Sequence, residues 1–172
     1  MDTFTFDATG ELDGTRLSGV VHVFGTRTVR AGVTHEFDPG AFDKSLADSD
    51  VFAFYSHDTS KPLASRLAGS LELEVRDGKL HYQFDTGAQS YAQDLRVNVA
   101  AGLMRSMSFG VLPRKWEMRA GVKVHTEASL FDVSPVTIPA FGETSAQLHS
   151  SPVEWSRSQA VRARARVQES RR

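Results

Sequence analysis

The segment RSMSFGV, residues 105–111, sets the hydroxyl of Ser108 between Met107 and Phe109. Successive side chains of a strand point to opposite faces, so Met107, Phe109 and Val111 share one face and Ser106, Ser108 and Gly110 the other. A hydroxyl in that place fits two roles. Small residues let a neighbouring element approach closely, and a buried serine can bond a backbone carbonyl. Alternatively the hydroxyl is a nucleophile, which near neutral pH needs an adjacent base. Six histidines are available: His22, His35, His57, His81, His125 and His149. His57 stands apart, because it closes the apolar run VFAFYSH and precedes TSKPLA, read as a loop, which puts it at the rim of a sheet. A third polar intruder is Asp132 in LFDVSPV, which alternation places with Leu130, Ser134 and Val136. An ionised carboxylate among apolar neighbours is costly unless it is paired. A histidine N–H suits it, since that pair fixes the imidazole tautomer and stabilises the imidazolium; an arginine or backbone donor is the structural alternative.

Serine as nucleophile, histidine as base and aspartate as orienting acid form an acyl-transfer triad. The chain order of such triads varies among unrelated hydrolases, so His57, Ser108, Asp132 is an acceptable one. The residue types allow the triad without demanding it. Because the base must be neutral and an ordinary imidazole titrates at about 6.5, activity is expected to fail in acid. Arg105 and Arg114 are candidates to assist the oxyanion. Other chemistry has less support. No two histidines stand at the i, i+4 spacing of a helical zinc site, and the chain has no cysteine. Disulfides, thiol nucleophiles and thiolate metal sites are therefore excluded, and no metal or cofactor is implied. A small-molecule esterase or amidase would be expected to carry a Gly-x-Ser-x-Gly turn, which does not surround Ser108.

The elements that must position these residues are mostly strands. TFTF and LSGVVHVFG read as strands, and DPGAFDKSLAD as a short helix with Phe42 and Leu46 on one face. In LELEVRDGKLHYQFD, Leu71, Leu73 and Val75 alternate up to the Asp77-Gly78 turn, and Leu80, Tyr82 and Phe84 alternate on the return. AQSYAQDLRVNVAAG reads as a helix with Tyr91, Leu95 and Val99 in line and Gly102 as its stop. LMRSMSFGVL is a strand, Ala120-Gly121 a turn between WEMR and VKVHTEAS, and LFDVSPVTI a final strand. Strands without regular helix alternation predict an α+β fold built on a mainly antiparallel sheet curled into a barrel, with a few helices around it.

The chain has 172 residues, enough for one domain, with ordinary hydrophobic (40%) and charged (24%) fractions and no apolar run long enough to cross a bilayer. Its first residues, MDTFTFDATGELDG, lack the basic patch and apolar stretch of a signal peptide. The net charge of -1 conceals an asymmetry: residues 1–149 hold 14 basic and 19 acidic side chains, whereas residues 150–172 hold six arginines against Glu154 and Glu169. We read 1–149 as the domain and 150–172 as a basic, flexible or loosely helical tail, either a solvated terminus or an arm for an acidic partner or nucleic acid.

GAFDKSL, a strand ending in HD, PLA with GSLELE and DGKL, RSMSFGV and LFDVSPVTIPA, in that order and spacing, resemble the prohead proteases of tailed bacteriophages. The resemblance spans residues 15–146. It implies a fold related to that of the herpesvirus capsid-maturation proteases (assemblins), a β-barrel surrounded by helices. By motif it implies His57 as base, Ser108 as nucleophile and Asp132 as the acid, where many relatives have glutamate. His57 and Ser108 lie 51 residues apart, Ser108 and Asp132 24. Two positions depart from the pattern: Ser56 stands where asparagine commonly precedes the histidine, and Ala64 where glycine commonly follows Pro-Leu. Herpesvirus relatives use a second histidine as third member, so Glu127 and His125 are nearby substitutes for Asp132, with Asp58 ranked lower. The implied activity is a serine endopeptidase that cuts scaffold protein, the scaffold-like segment of the major capsid protein and itself. It would act inside the assembling prohead in the host cytoplasm, without a membrane, restrained until assembly by enclosure or self-association. The rival reading is a non-enzymatic assembly factor in which Ser108 only packs.

Overall fold

The computed structural model describes residues 2–6 and 10–137, with side chains from residue 14 onward. Strands β1 (Asp2–Phe6), β2 (Gly10–Asp13), β3 (Arg16–Val23), β4 (Thr28–Arg30) and β5 (Val33–Phe37) precede helix α1 (Asp43–Asp48). Strands β6 (Phe52–Tyr55), β7 (Asp58–Ser65), β8 (Leu71–Arg76) and β9 (Lys79–Asp85) follow, then helix α2 (Ser90–Ala100), β10 (Ser106–Arg119) and β11 (Val122–Val136). The domain is therefore mostly β with few helices. One sheet runs β1-β10-β11-β5-β4, with β6 paired to β11 and β7 to β6; the other runs β2-β3-β9-β8.

Local sequence explains the clearest hairpin. Asp77 and Gly78 both take positive φ, 50° and 69°, the two-residue turn whose twist matches that of its strands. The turn sets Leu71 opposite Phe84, Leu73 opposite Tyr82 and Val75 opposite Leu80, so every large apolar residue of the hairpin lies on one face. These residues join Leu17 and Val21 of β3, Phe37, Phe42, and Met107, Phe109, Leu130 and Val133 of the long strands in one core. Fully burying one such side chain contributes ~1.5–3 kcal/mol.

β11 is the spine of the larger sheet. One side pairs antiparallel with β10 from Ser106↔Val136 to Arg119↔Val122. Its other side pairs in parallel first with β5, at Val122–His125, and then with β6, at Asp132 and Val133. The larger sheet is thus mixed, its two parallel pairs set among antiparallel ones, in keeping with the mainly antiparallel expectation. Between the two parallel partners the backbone of β11 would be left unsatisfied, and α1 with Ala41 just before it fills the gap. The Ala128 N–H donates to Ala41 C=O at 2.8 Å, the Ser45 hydroxyl donates to Ala128 C=O at 3.3 Å, and Leu130 N–H donates to Ser45 Oγ at 2.9 Å. A buried backbone group without a partner would cost about 1–3 kcal/mol.

Several expectations change. SMSFGVL and WEMR are one 14-residue strand through Pro113, which Leu103, Met104 and Arg105 precede, and VKVHTEAS and LFDVSPV are one 15-residue strand. Proline is tolerated there because β1 ends opposite Val111, leaving β10 without a partner on that side among the described residues. TSKPLA is part of β7 rather than a loop. The division at 149/150 and the basic tail, 150–172, lie outside the described residues.

Candidate active site

The strand of VFAFYSH ends at Tyr55, and Ser56 and His57 form a two-residue turn into β7, since Tyr55 pairs with Asp58. Both turn residues take positive φ, 51° and 61°. Such a turn favours Asn-Gly, and each residue with a side chain costs ~1–2 kcal/mol in that conformation. Surrounding bonds hold the strained turn. Ser56 N–H donates to Pro135 C=O at 3.1 Å, fixing it to β11. From α2, Asn98 Nδ2 donates to the Tyr55 hydroxyl at 2.8 Å and the Tyr91 hydroxyl donates to Pro62 C=O at 2.9 Å. The same helix delivers the strand bearing Ser108. It ends with Gly102 at φ 68°, Gly102 N–H donating to Val99 C=O at 3.0 Å and Leu103 N–H to Asn98 C=O at 2.8 Å. This is the glycine stop that turns the chain toward β10.

Asp132 owes its direction to a bulge. Gly110 pairs with Asp132 but Val111 pairs with Leu130, leaving Phe131 as the extra residue. Simple alternation would put Leu130 on the face of Asp132; the bulge instead sends Leu130 to the core face of Val111, and Asp132 to the face of Gly110 and Ser108. Phe131, the unpaired residue, is 40% exposed.

On that face polar groups converge. His57 Nδ1 and Asp132 Oδ1 are 2.8 Å apart, the nitrogen donating when the carboxylate is ionised. Ser134 Oγ donates to the same Oδ1 at 3.1 Å. Asp132 is buried, and these two donors offset the cost of its charge. Ser108 is fully buried and is the cross-strand partner of Ser134. Ser108 and Asp132 are consequently diagonal neighbours, about 7–8 Å apart at Cα. His57 Nε2 is buried and makes no hydrogen bond among the described residues, so the ring bonds Asp132 but not Ser108.

The other candidates are engaged elsewhere. Asp58, adjacent to His57, accepts from the Ser60 N–H at 3.0 Å and the Ser60 hydroxyl at 2.6 Å, and those bonds hold its carboxyl below the usual range. Glu127 pairs with Lys115 at 2.6 Å, and His125 Nε2 meets His35 Nδ1 at 2.8 Å. Arg114 donates to Ser129 Oγ at 2.8 Å on the exposed surface, and Arg105 lies just before β10. Among the described residues no group of three or more His, Asp or Glu could hold a metal ion. Ser134 was not singled out by its type, although i, i+2 alternation already set it beside Asp132.

A family model described as Caudovirus prohead serine protease matches residues 4–158. The chain belongs to that family. It is accordingly a serine peptidase of phage capsid assembly, which decides against the non-enzymatic reading. Among solved structures, the protease is similar to the bacteriophage T4 capsid assembly protease, gp21, with a TM-score of 0.57 at 12% identity, covering 80% of this chain and 96% of that one. At that identity the likeness establishes a shared fold. A search of curated proteins found no match.

Proposed function

We propose that His57, Ser108 and Asp132 are the catalytic triad of an endopeptidase that matures phage proheads. The contact that carries this reading is the 2.8 Å bond from His57 Nδ1 to Asp132 Oδ1, made on the face that bears Ser108. His57 Nε2 takes the Ser108 proton as Oγ attacks the peptide carbonyl, giving a tetrahedral oxyanion. The imidazolium, stabilised by Asp132, returns the proton to the leaving amine as the C–N bond breaks. Water, deprotonated by the same ring, then hydrolyses the acyl-serine and restores the hydroxyl.

The substrates that fit this role are scaffold protein, the scaffold-like segment of the major capsid protein and the protease's own tail, met inside the assembling prohead. The T4 neighbour's description as a capsid assembly protease supports the setting. In this reading residues 1–149 are the protease domain and 150–172 a packaging arm or a segment lost by self-cleavage. We also read the two sheets as an opened form of the assemblin barrel. Co-expression with the capsid protein encoded beside it tests the assignment: the capsid protein shortens with the wild-type protease and stays full length with Ser108→Ala. Shortening that persists with purified Ser108→Ala overturns it.

A further inference from the structure

Resting on the triad just proposed, we infer that Ser134 is a positioning residue, whose hydroxyl fixes the Asp132 carboxylate in the orientation that meets His57. Three observations carry this. Ser134 Oγ donates at 3.1 Å to Oδ1 of Asp132, the oxygen that also receives His57 Nδ1. Ser134 is fully buried, so water cannot replace its hydroxyl. The ladder makes Ser134 the cross-strand partner of Ser108, and it stands two residues from Asp132 on the same face. The hydroxyl therefore lies between the nucleophile's strand position and the acid.

Two donors on one carboxylate oxygen share its negative charge. Removing the neutral donor leaves more of that charge for the imidazole and lets the carboxylate rotate about its Cβ–Cγ bond. The first change favours the protonated ring, which cannot act as base; the second weakens alignment. Among the described residues, the charged or titratable group bonded to His57 is Asp132, and the one bonded to Asp132 is His57. Asp58 is occupied by Ser60 and Lys61.

The test uses the full chain and two readouts: the NMR titration of the His57 ring, and the rate at which a fluorophosphonate labels Ser108 across pH, followed by intact mass. Ser134→Ala is expected to move the His57 midpoint to higher pH and to slow labelling at neutral pH roughly tenfold, the scale of one hydrogen bond to a charged group. Ser134→Thr, which keeps the hydroxyl, restores both readouts. Ser134→Cys, close in size but a weak donor, behaves like alanine and guards against a packing effect. In an Asp132→Asn background Ser134→Ala has no further effect, as expected when one residue acts through the other. An unmoved midpoint in Ser134→Ala and Ser134→Cys, or the same loss in the Asp132→Asn background, overturns the inference. Failure of the triad itself reads differently: the probe then attaches equally to Ser108→Ala, whatever Ser134 does to the His57 midpoint.

Discussion

His22 and His57 occupy opposite kinds of surroundings within one small domain. His22 is ringed edge-on by Phe24 at 5.2 Å, Phe37 at 5.7 Å, Phe42 at 6.5 Å and Phe109 at 5.3 Å, and burial pushes its pKa down to about 3. His57 sits in a strained turn with a carboxylate on one nitrogen and the other nitrogen buried without a hydrogen bond among the described residues. A bulge opposite Leu80 rolls His22 into the core, whereas a bulge at Phe131 rolls Asp132 out to meet His57. Burial alone makes a histidine a neutral filler. Burial with one well-placed carboxylate suits it to the proposed role of base, because the imidazolium formed during reaction would then have a counter-charge.

The largest effect that would break this contrast concerns activity. His57→Ala should lower the labelling of Ser108 by a phosphonate at least ~10³-fold, while His22→Leu leaves it within about twofold. Comparable losses in both variants would mean that His57 is no more than a packing residue. The next effect concerns stability in acid. His22 has a folded pKa of about 3 against about 6.5 unfolded, so the unfolded chain binds the extra proton between those values. Stability from its neutral burial is complete above pH 6.5 and is lost as pH falls, by up to about 1.4 kcal/mol per unit until the folded pKa is reached. Urea unfolding from pH 7 to 4.5 should show a shallower loss for His22→Leu than for wild type; equal slopes would remove His22 as the cause. The smallest effect sharpens the other side of the comparison. Asparagine tolerates the left-handed conformation better than serine, so Ser56→Asn should stabilise the fold by about 0.5 kcal/mol with labelling unchanged. A lower unfolding midpoint would show that the turn is not strained at Ser56.

How much was legible followed from how local each cause is. The hairpin from Leu71 to Asp85 and the helix ending at Gly102 were readable because alternation and glycine stops act within a few residues. β4 and β5 were not, since TVR and VTHEF carry little apolar pattern; β5 depends on pairing with β11 and β4 on pairing with β5. TSKPLA reads as a loop because Lys61 and Pro62 interrupt its pattern, yet it lies in β7, an edge strand held by β6.

The residue types at 57, 108 and 132 were fixed by the chain itself, as was the polar face of the Ser108 strand, because side-chain chemistry and the two-residue period need no partner. Only tertiary structure decided which carboxylate meets the imidazole. Asp58, adjacent in sequence, turns to Ser60, while Asp132, 75 positions away, bonds at 2.8 Å. The physical reason is register: a single extra residue at Phe131 exchanges the two faces of β11, and no local rule forecasts where a strand will bulge.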